Sequence, residues 1–248
     1  MIGLVGSGNM ARALARGWGE PVLCTDALPE RARALAEETG GEAVEGNGAL
    51  ADRADLIVLC HKPAQLETVA EQVGGRARAV VSILGGVPLA RVKAAYGTTP
   101  VVRVLPSTPV EVRRGVVVHA RDPDCDPAVT ERVTALFGRL GPVVTIEETQ
   151  METATGLMSS APAYMALVAE AQVDAGVRHG IPADLATELV VGTMAGTAAL
   201  LEHRGGDTLA VRREVTSPGG ITARGLEALE RGGVRAAFLA AMREVAER

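Results

Sequence analysis

Short apolar runs alternate with amphipathic stretches from the N-terminus to about residue 148. The apolar runs occupy residues 2–5, 22–24, 56–60, 79–83, 101–104, 115–118 and 143–146. Between them, residues 10–18, 29–38, 63–73, 88–96 and 127–140 repeat apolar side chains at helical spacing. Strands that are apolar along their whole length, alternating with helices, predict a parallel sheet covered on both faces.

Beyond residue 148 the strand signal stops. Residues 151–179 and 183–203 predict two long helices rich in Ala and Gly, with shorter helices at 209–214, 222–231 and from 234 to the end. The pattern therefore divides into an α/β domain over residues 1–148 and an all-α domain over 149–248. A helix that is apolar nearly all round has to be buried, and a domain this small buries few such helices alone. The expectation is a homodimer intertwined through the C-terminal helices, in preference to burial within one subunit.

Composition narrows the choice of partners. Aromatic residues make up 2% of the chain, so the core is built from Ala, Val and Leu. A net charge of -5, with no basic stripe, argues against nucleic acid. The longest uncharged apolar stretch, 189–201, is interrupted by Gly192, Thr193, Gly196 and Thr197 and reads as too short to span a bilayer. A strand-like run starting at residue 2 leaves no signal peptide, which predicts a cytoplasmic protein. Cys24, Cys60 and Cys125 form neither a metal spacing nor a disulfide framework, and no metal is expected. His61, His119, His179 and His203 are scattered, and only His61 falls near the loops described next.

The chemistry concentrates after the first strand, where Gly6-Ser7-Gly8-Asn9-Met10-Ala11 opens a helix. In that context a G-x-G-x-x-A run binds a dinucleotide. Gly6 makes the tight turn, Gly8 lets the backbone approach a pyrophosphate, and the helix N-terminus offers free N–H groups. The first domain is thus expected to be a Rossmann-type doubly wound sheet. Asp26 ends the second strand, where an acidic residue bonds the adenosine ribose hydroxyls, and Ala27, Leu28, Pro29 and Glu30 follow it. That favours NADH over NADPH, although Asp26 also suits a cap for the helix starting at Pro29. Lys62-Pro63 and Leu105-Pro106-Ser107-Thr108-Pro109 follow later strands and are expected at the same edge of the sheet. In the second domain, Ser217-Pro218-Gly219-Gly220-Ile221-Thr222 forms a Gly-rich loop before a helix. Its N–H groups suit a substrate carboxylate, and Thr222 suits either a substrate nitrogen or a helix cap.

Taken in order, Gly6-x-Gly8-x-Met10-Ala11, Lys62-Pro63, the run from Arg103 to Pro109, Ser160-Ala161-Pro162-Ala163-Tyr164, Glu170 to Gly180 with its Asp174, Ala175 and Gly180, and Ser217 to Thr222 resemble the pyrroline-5-carboxylate reductase family. The resemblance covers nearly the whole chain. It implies a Rossmann domain, a helical dimerisation domain and often a pentamer of dimers. The implied reaction is hydride transfer from NAD(P)H to the C=N carbon of 1-pyrroline-5-carboxylate, giving L-proline. Gly6, Ser7, Gly8, Asn9, Met10, Asp26, Lys62, Pro63 and Ser107 would bind the cofactor. Ser217, Gly219, Gly220, Ile221 and Thr222 would bind the imino acid, with Thr222 near its nitrogen. The chain departs from the family where Ser107 replaces an Asn, where Met158 and Ala161 stand in a Ser-Gly-Ser-Gly run, and where Asp26-Ala27 replaces an Asn-Arg pair. Two other readings accompany these departures, a paralogue reducing another imino or keto acid and a non-catalytic dinucleotide sensor.

Overall fold

The computed structural model describes residues 1–246 and divides into two compact units, Met1–Pro162 and Ala163–Arg248. The first contains β1 (Ile2–Val5), α1 (Asn9–Trp18), β2 (Leu23–Thr25), α2 (Pro29–Thr39), β3 (Glu42–Ala43), α3 (Asn47–Arg53) and β4 (Leu56–Leu59). It continues through α4 (Leu66–Val73), β5 (Val80–Ser82), α5 (Leu89–Tyr96), β6 (Val101–Pro106), β7 (Val117–Ala120), α6 (Pro127–Gly138), β8 (Val143–Ile146) and α7 (Met151–Ala154). The strands form one eight-stranded sheet in the order β3-β2-β1-β4-β5-β6-β7-β8.

Successive residues of the inner strands face opposite helical layers, as the two-residue repeat of a strand requires. Leu4, Val58, Val81 and Val104 pack with Leu14, Trp18, Leu35, Val133 and Phe137 of α1, α2 and α6. Val5, Ile57, Leu59 and Val80 pack with Leu50, Leu66, Val73, Val92 and Tyr96 of α3, α4 and α5. This is the doubly wound arrangement that continuous apolar strands predict. Among the described residues aromatic packing enters at one point, an edge-to-face contact between Trp18 and Phe137 with ring centroids 5.5 Å apart.

The sheet is not parallel throughout, in contrast to the expectation. β6 and β7 pair antiparallel, with Val104 opposite His119, while β7 and β8 run parallel to each other. The link from β6 to β7 holds only a short 3-10 helix, Thr108–Val112, which is too little chain for a crossover. β3 and α3, which the hydrophobic pattern did not reveal, are short and carry Glu42, Asn47, Asp52 and Arg53.

The long helix expected over 151–179 is interrupted. α7 gives way to a π-helical turn, Thr155–Ser159, closed by Ser160 N–H donating to the Thr155 carbonyl at 3.0 Å. Pro162 lacks an N–H and so cannot continue the preceding ladder but suits the first turn of a new helix, α8 (Ala161–Arg178). Met151 and Met158 bury themselves against Leu105, Val118 and Ala120. The turns after residue 148 therefore pack on the sheet, and the first compact unit extends to Pro162.

The second unit comprises most of α8, then α9 (Ala183–His203), α10 (Thr208–Glu214), α11 (Ile221–Arg231) and α12 (Val234–Ala246). Of α9's side chains only Ala186 is buried, and Leu185, Leu189 and Val191 are exposed. By length and composition α9 could cross a membrane, a longer apolar helix than the uncharged stretch 189–201 indicated.

Candidate active site at the carboxyl ends of the strands

Gly6 leaves β1 with a φ of 101°, in the region that favours glycine, and its N–H donates to the Thr25 carbonyl at 2.9 Å. A Cβ here would lie 2.7 Å from the Cys60 carbonyl carbon and 2.8 Å from the His61 nitrogen. Gly6 thus lets the loop after β1 touch the loop after β4. Gly8 differs, because a Cβ on it would meet nothing within 4 Å. It sits extended at the start of α1, whose first turn no side chain caps. Open space, a bare glycine and unshared N–H groups are what a phosphate pair requires. Asn9 is exposed there, while Ala11 is fully buried and allows close packing of α1.

The remaining loop contacts set its shape. The Ser7 side chain is buried and its hydroxyl donates to the Thr25 carbonyl at 3.1 Å. The Ser7 N–H donates to Asp26 Oδ2 at 2.7 Å, and the Leu28 N–H donates to Asp26 Oδ1 at 2.9 Å. Asp26 therefore ties the glycine loop to the turn after β2. It does not cap α2, whose N-cap is Leu28. Each carboxylate oxygen keeps a further lone pair for a ligand.

A cavity of about 300 Å³ opens beside this loop, at the carboxyl ends of β4, β5 and β6. Its walls are Met10, Cys60, His61, Ile83, Leu84, Gly85, Leu105 and Pro106, together with Thr155 and Ser159 of the π turn. In an open α/β sheet this is the edge where ligands bind. π turns recur at functional sites, and this one brings Thr155 and Ser159 to the cavity wall. Burial pushes the Cys60 thiol well above its ordinary pKa, which leaves it a neutral wall residue. A larger hollow of about 550 Å³, lined by Met1, Glu20, Leu56 and Arg132 among others, lies at the amino ends of the strands. Of the two, the smaller cavity has the glycine loop beside it.

His61 stands out among the cavity residues. Its Nδ1 lies 2.9 Å from the Lys62 carbonyl, while Nε2 is buried with no hydrogen-bond partner among the described residues. Burial lowers its pKa. Lys62 itself begins a short 3-10 turn with Pro63, its N–H donating to Gln65 Oε1 at 3.2 Å and its side chain exposed. Ser107 is buried, and its hydroxyl accepts from the Val116 N–H at 2.9 Å and donates to the Val116 carbonyl at 3.1 Å. It fastens the turn between β6 and β7.

Arg103 on β6 is 2% exposed and bonds Glu148 Oε1 at 2.5 Å and Glu152 Oε1 at 2.8 Å. Glu148 Oε1 also accepts the Leu89 N–H at 2.8 Å. This buried arginine anchors α7, and through it the π turn, to the sheet. The hydrophobic pattern gave no sign of its two carboxylate partners, or of Thr155 and Ser159 as cavity residues, because each depends on where the π turn returns to the sheet.

In the second unit, Gly219 has a φ of 69° and Gly220 begins α11 without a side-chain cap. A Cβ on Gly220 would meet the Ser217 hydroxyl oxygen, which would have to turn away. Thr222 does not cap α11, and Ile221 is among the most exposed apolar residues of the chain. The loop leaves its first-turn N–H groups free for an anion.

Comparison with known proteins agrees with these observations. The pyrroline-5-carboxylate reductase dimerisation family matches residues 148–248, and the coenzyme F420-dependent NADP oxidoreductase family matches residues 1–86. A pyrroline-5-carboxylate reductase from Synechocystis is 33% identical over 98% of this chain and 94% of its own length. The enzyme of that name from Thermus thermophilus is 34% identical over 100% of this chain and 96% of its own. Among solved structures, 1-pyrroline-5-carboxylate reductase from Streptococcus pyogenes superposes with a TM-score of 0.91 at 28% identity, covering 99% of this chain and 96% of the other. Plasmodium falciparum pyrroline carboxylate reductase with NADP bound gives 0.89 at 26% identity, covering 99% and 95%. Similarity of this extent, over both units and nearly every residue, places the chain in the pyrroline-5-carboxylate reductase family.

Proposed function

We propose that this chain reduces the C=N bond of 1-pyrroline-5-carboxylate with NAD(P)H, giving L-proline. The observation that carries this reading is the pairing of an uncapped glycine-loop helix with an apolar cavity at the carboxyl ends of β4–β6, in a member of this family. When bound, the nicotinamide supplies the hydride. The chain's own residues bind, orient and exclude water. Gly6, Ser7, Gly8, Asn9 and Met10 wrap the pyrophosphate, Asp26 takes the ribose, and Lys62, Pro63 and Ser107 shape the neighbouring edge. Residues 1–148, extended by the turns that pack on the sheet as far as Pro162, form the dinucleotide-binding domain, and the helices that follow form the substrate-binding and dimerisation domain.

For the imino acid, Ser217, Gly219 and Ile221 present N–H groups to the carboxylate, Gly220 closes the turn by donating its own N–H to the Ser217 carbonyl at 3.0 Å, and the Thr222 hydroxyl serves the ring nitrogen. A substrate that arrives as the protonated iminium needs no separate acid. Asp26 argues for NADH, since a ribose phosphate would meet a carboxylate with Ala27 and Leu28 beside it. The apolar, exposed faces of α8 and α9 support a homodimer, and a pentamer of such dimers is the assembly we expect.

Oxidation of NADH and of NADPH by purified enzyme with 1-pyrroline-5-carboxylate tests the reading. Faster turnover with NADH supports both parts, and faster turnover with NADPH refutes the role given to Asp26. Tight dinucleotide binding with no imine reduction refutes the activity. Thr222→Ala should lower kcat roughly tenfold, about one lost hydrogen bond in the transition state, with cofactor affinity unchanged.

A further inference from the structure

One polar atom of a cavity-lining residue is left over by everything described so far. His61 Nδ1 lies 2.9 Å from the Lys62 carbonyl. A carbonyl oxygen only accepts, so Nδ1 carries the proton, and a neutral ring leaves Nε2 as a bare lone pair. Burial lowers the His61 pKa, which keeps the ring in that neutral form. Nε2 is buried and unpartnered among the described residues.

The cavity's other hydroxyls do not serve it. Thr155 donates to the Met151 carbonyl at 3.1 Å, and Ser159 directs its hydroxyl to Met158 Sδ at 2.9 Å. The walls are otherwise apolar. A buried acceptor without a donor is costly, and native proteins pair nearly all such atoms, so this one calls for a donor from outside the chain. The fitting ligand has a flat apolar body and one N–H group.

We propose that His61 is a binding and positioning residue for the cofactor: its Nε2 accepts a hydrogen bond from the carboxamide N–H of the nicotinamide and sets the rotation of that ring. The proposal rests on the dinucleotide reading above and deepens it. Met10 links the two halves of the site, because it belongs to the glycine loop's helix and also lines the cavity.

The test is equilibrium binding, without turnover, of ADP-ribose, NAD+ and 3-acetylpyridine adenine dinucleotide. The last keeps the ring carbonyl but has a methyl group where NAD+ has the amide N–H. The natural chain should bind NAD+ roughly five- to tenfold tighter than the acetyl analogue, the worth of one buried hydrogen bond. His61→Leu should abolish that preference and His61→Gln, which keeps an acceptor, should restore part of it. ADP-ribose, lacking the nicotinamide, should bind all three alike, which also reports that the variants are folded.

Equal affinity of the natural chain for the two dinucleotides overturns the proposal, however the variants behave. A preference that survives in His61→Leu overturns it too. So does a variant whose only change is a raised KM for the imino acid, because the ring then faces the substrate. Failure of the natural chain to bind ADP-ribose refutes the dinucleotide site itself, and this proposal with it. Absent imine reduction alongside the expected binding pattern refutes the activity and upholds His61's role.

Discussion

The Ser7 N–H donates to the Asp26 carboxylate at 2.7 Å, joining the glycine loop after β1 to the end of β2. One side chain thereby shapes the pyrophosphate loop and places a negative charge where the ribose is expected. Asp26→Ala removes both effects. NADH affinity should fall about tenfold, the cost of losing a hydrogen bond to a charged group. NADPH affinity should fall less or rise, since the repulsion is gone. Titration of both cofactors against the variant checks this, and an unchanged ratio of the two affinities would remove Asp26 from cofactor choice.

Gly6 and Gly8 stand two residues apart and should fail in different ways. At Gly6 the φ is positive, and a methyl carbon would stand 2.7 Å from the carbonyl of Cys60, which leaves no room. Gly6→Ala should cost about 2 kcal/mol of stability or more, seen as a lower urea midpoint. Gly8 has free space around it. Gly8→Ala should change stability by less than about 1 kcal/mol, yet weaken dinucleotide binding because its methyl stands where the phosphates approach.

Arg103 tests the anchor between sheet and π turn. Arg103→Met leaves Glu148 and Glu152 without their shared cation. Loss of one partner from a fully buried pair costs about 3–5 kcal/mol, and here the cost should be nearer about 2 kcal/mol, because Glu152 is half exposed and rehydrates. Urea unfolding measures it. Cofactor binding should weaken as well, since Thr155 and Ser159 lose their fixed place on the cavity wall.

Acid should act on stability through two histidines. Burial lowers the pKa of His61 and of His119 below the ordinary 6.5. The unfolded chain then binds protons that the folded chain refuses. Stability is fully present above pH 6.5 and falls as the pH drops from there through the lower folded-state values. Urea midpoints taken from about pH 8 to about pH 5 should show the decline beginning near the ordinary histidine value, and His119→Gln should flatten part of it. A flat profile would mean that neither ring is held neutral.

The local parts of this protein were legible in its residues. Apolar runs at 2–5, 56–60 and 101–104 mark strands because a two-faced sheet demands them, and Gly6 marks the turn because its positive φ favours glycine. Other features depend on residues that meet only after folding. The reversal of β7 follows from the length of the β6–β7 link, and β3 and α3 are too short and polar to show a period. Ser107 looked like a loop residue facing a ligand, whereas both hydrogen bonds of its hydroxyl go to Val116 on the returning chain. Arg103 meets Glu148 and Glu152 only because the turn after residue 148 folds back on the sheet, and the His61 Nε2, buried without a partner among the described residues, shows itself only in the packed chain. Periodicity and backbone conformation act between near neighbours and can be read along the chain. Hydrogen-bond partners, burial and an unsatisfied lone pair are properties of the packed interior, which only the tertiary structure decides.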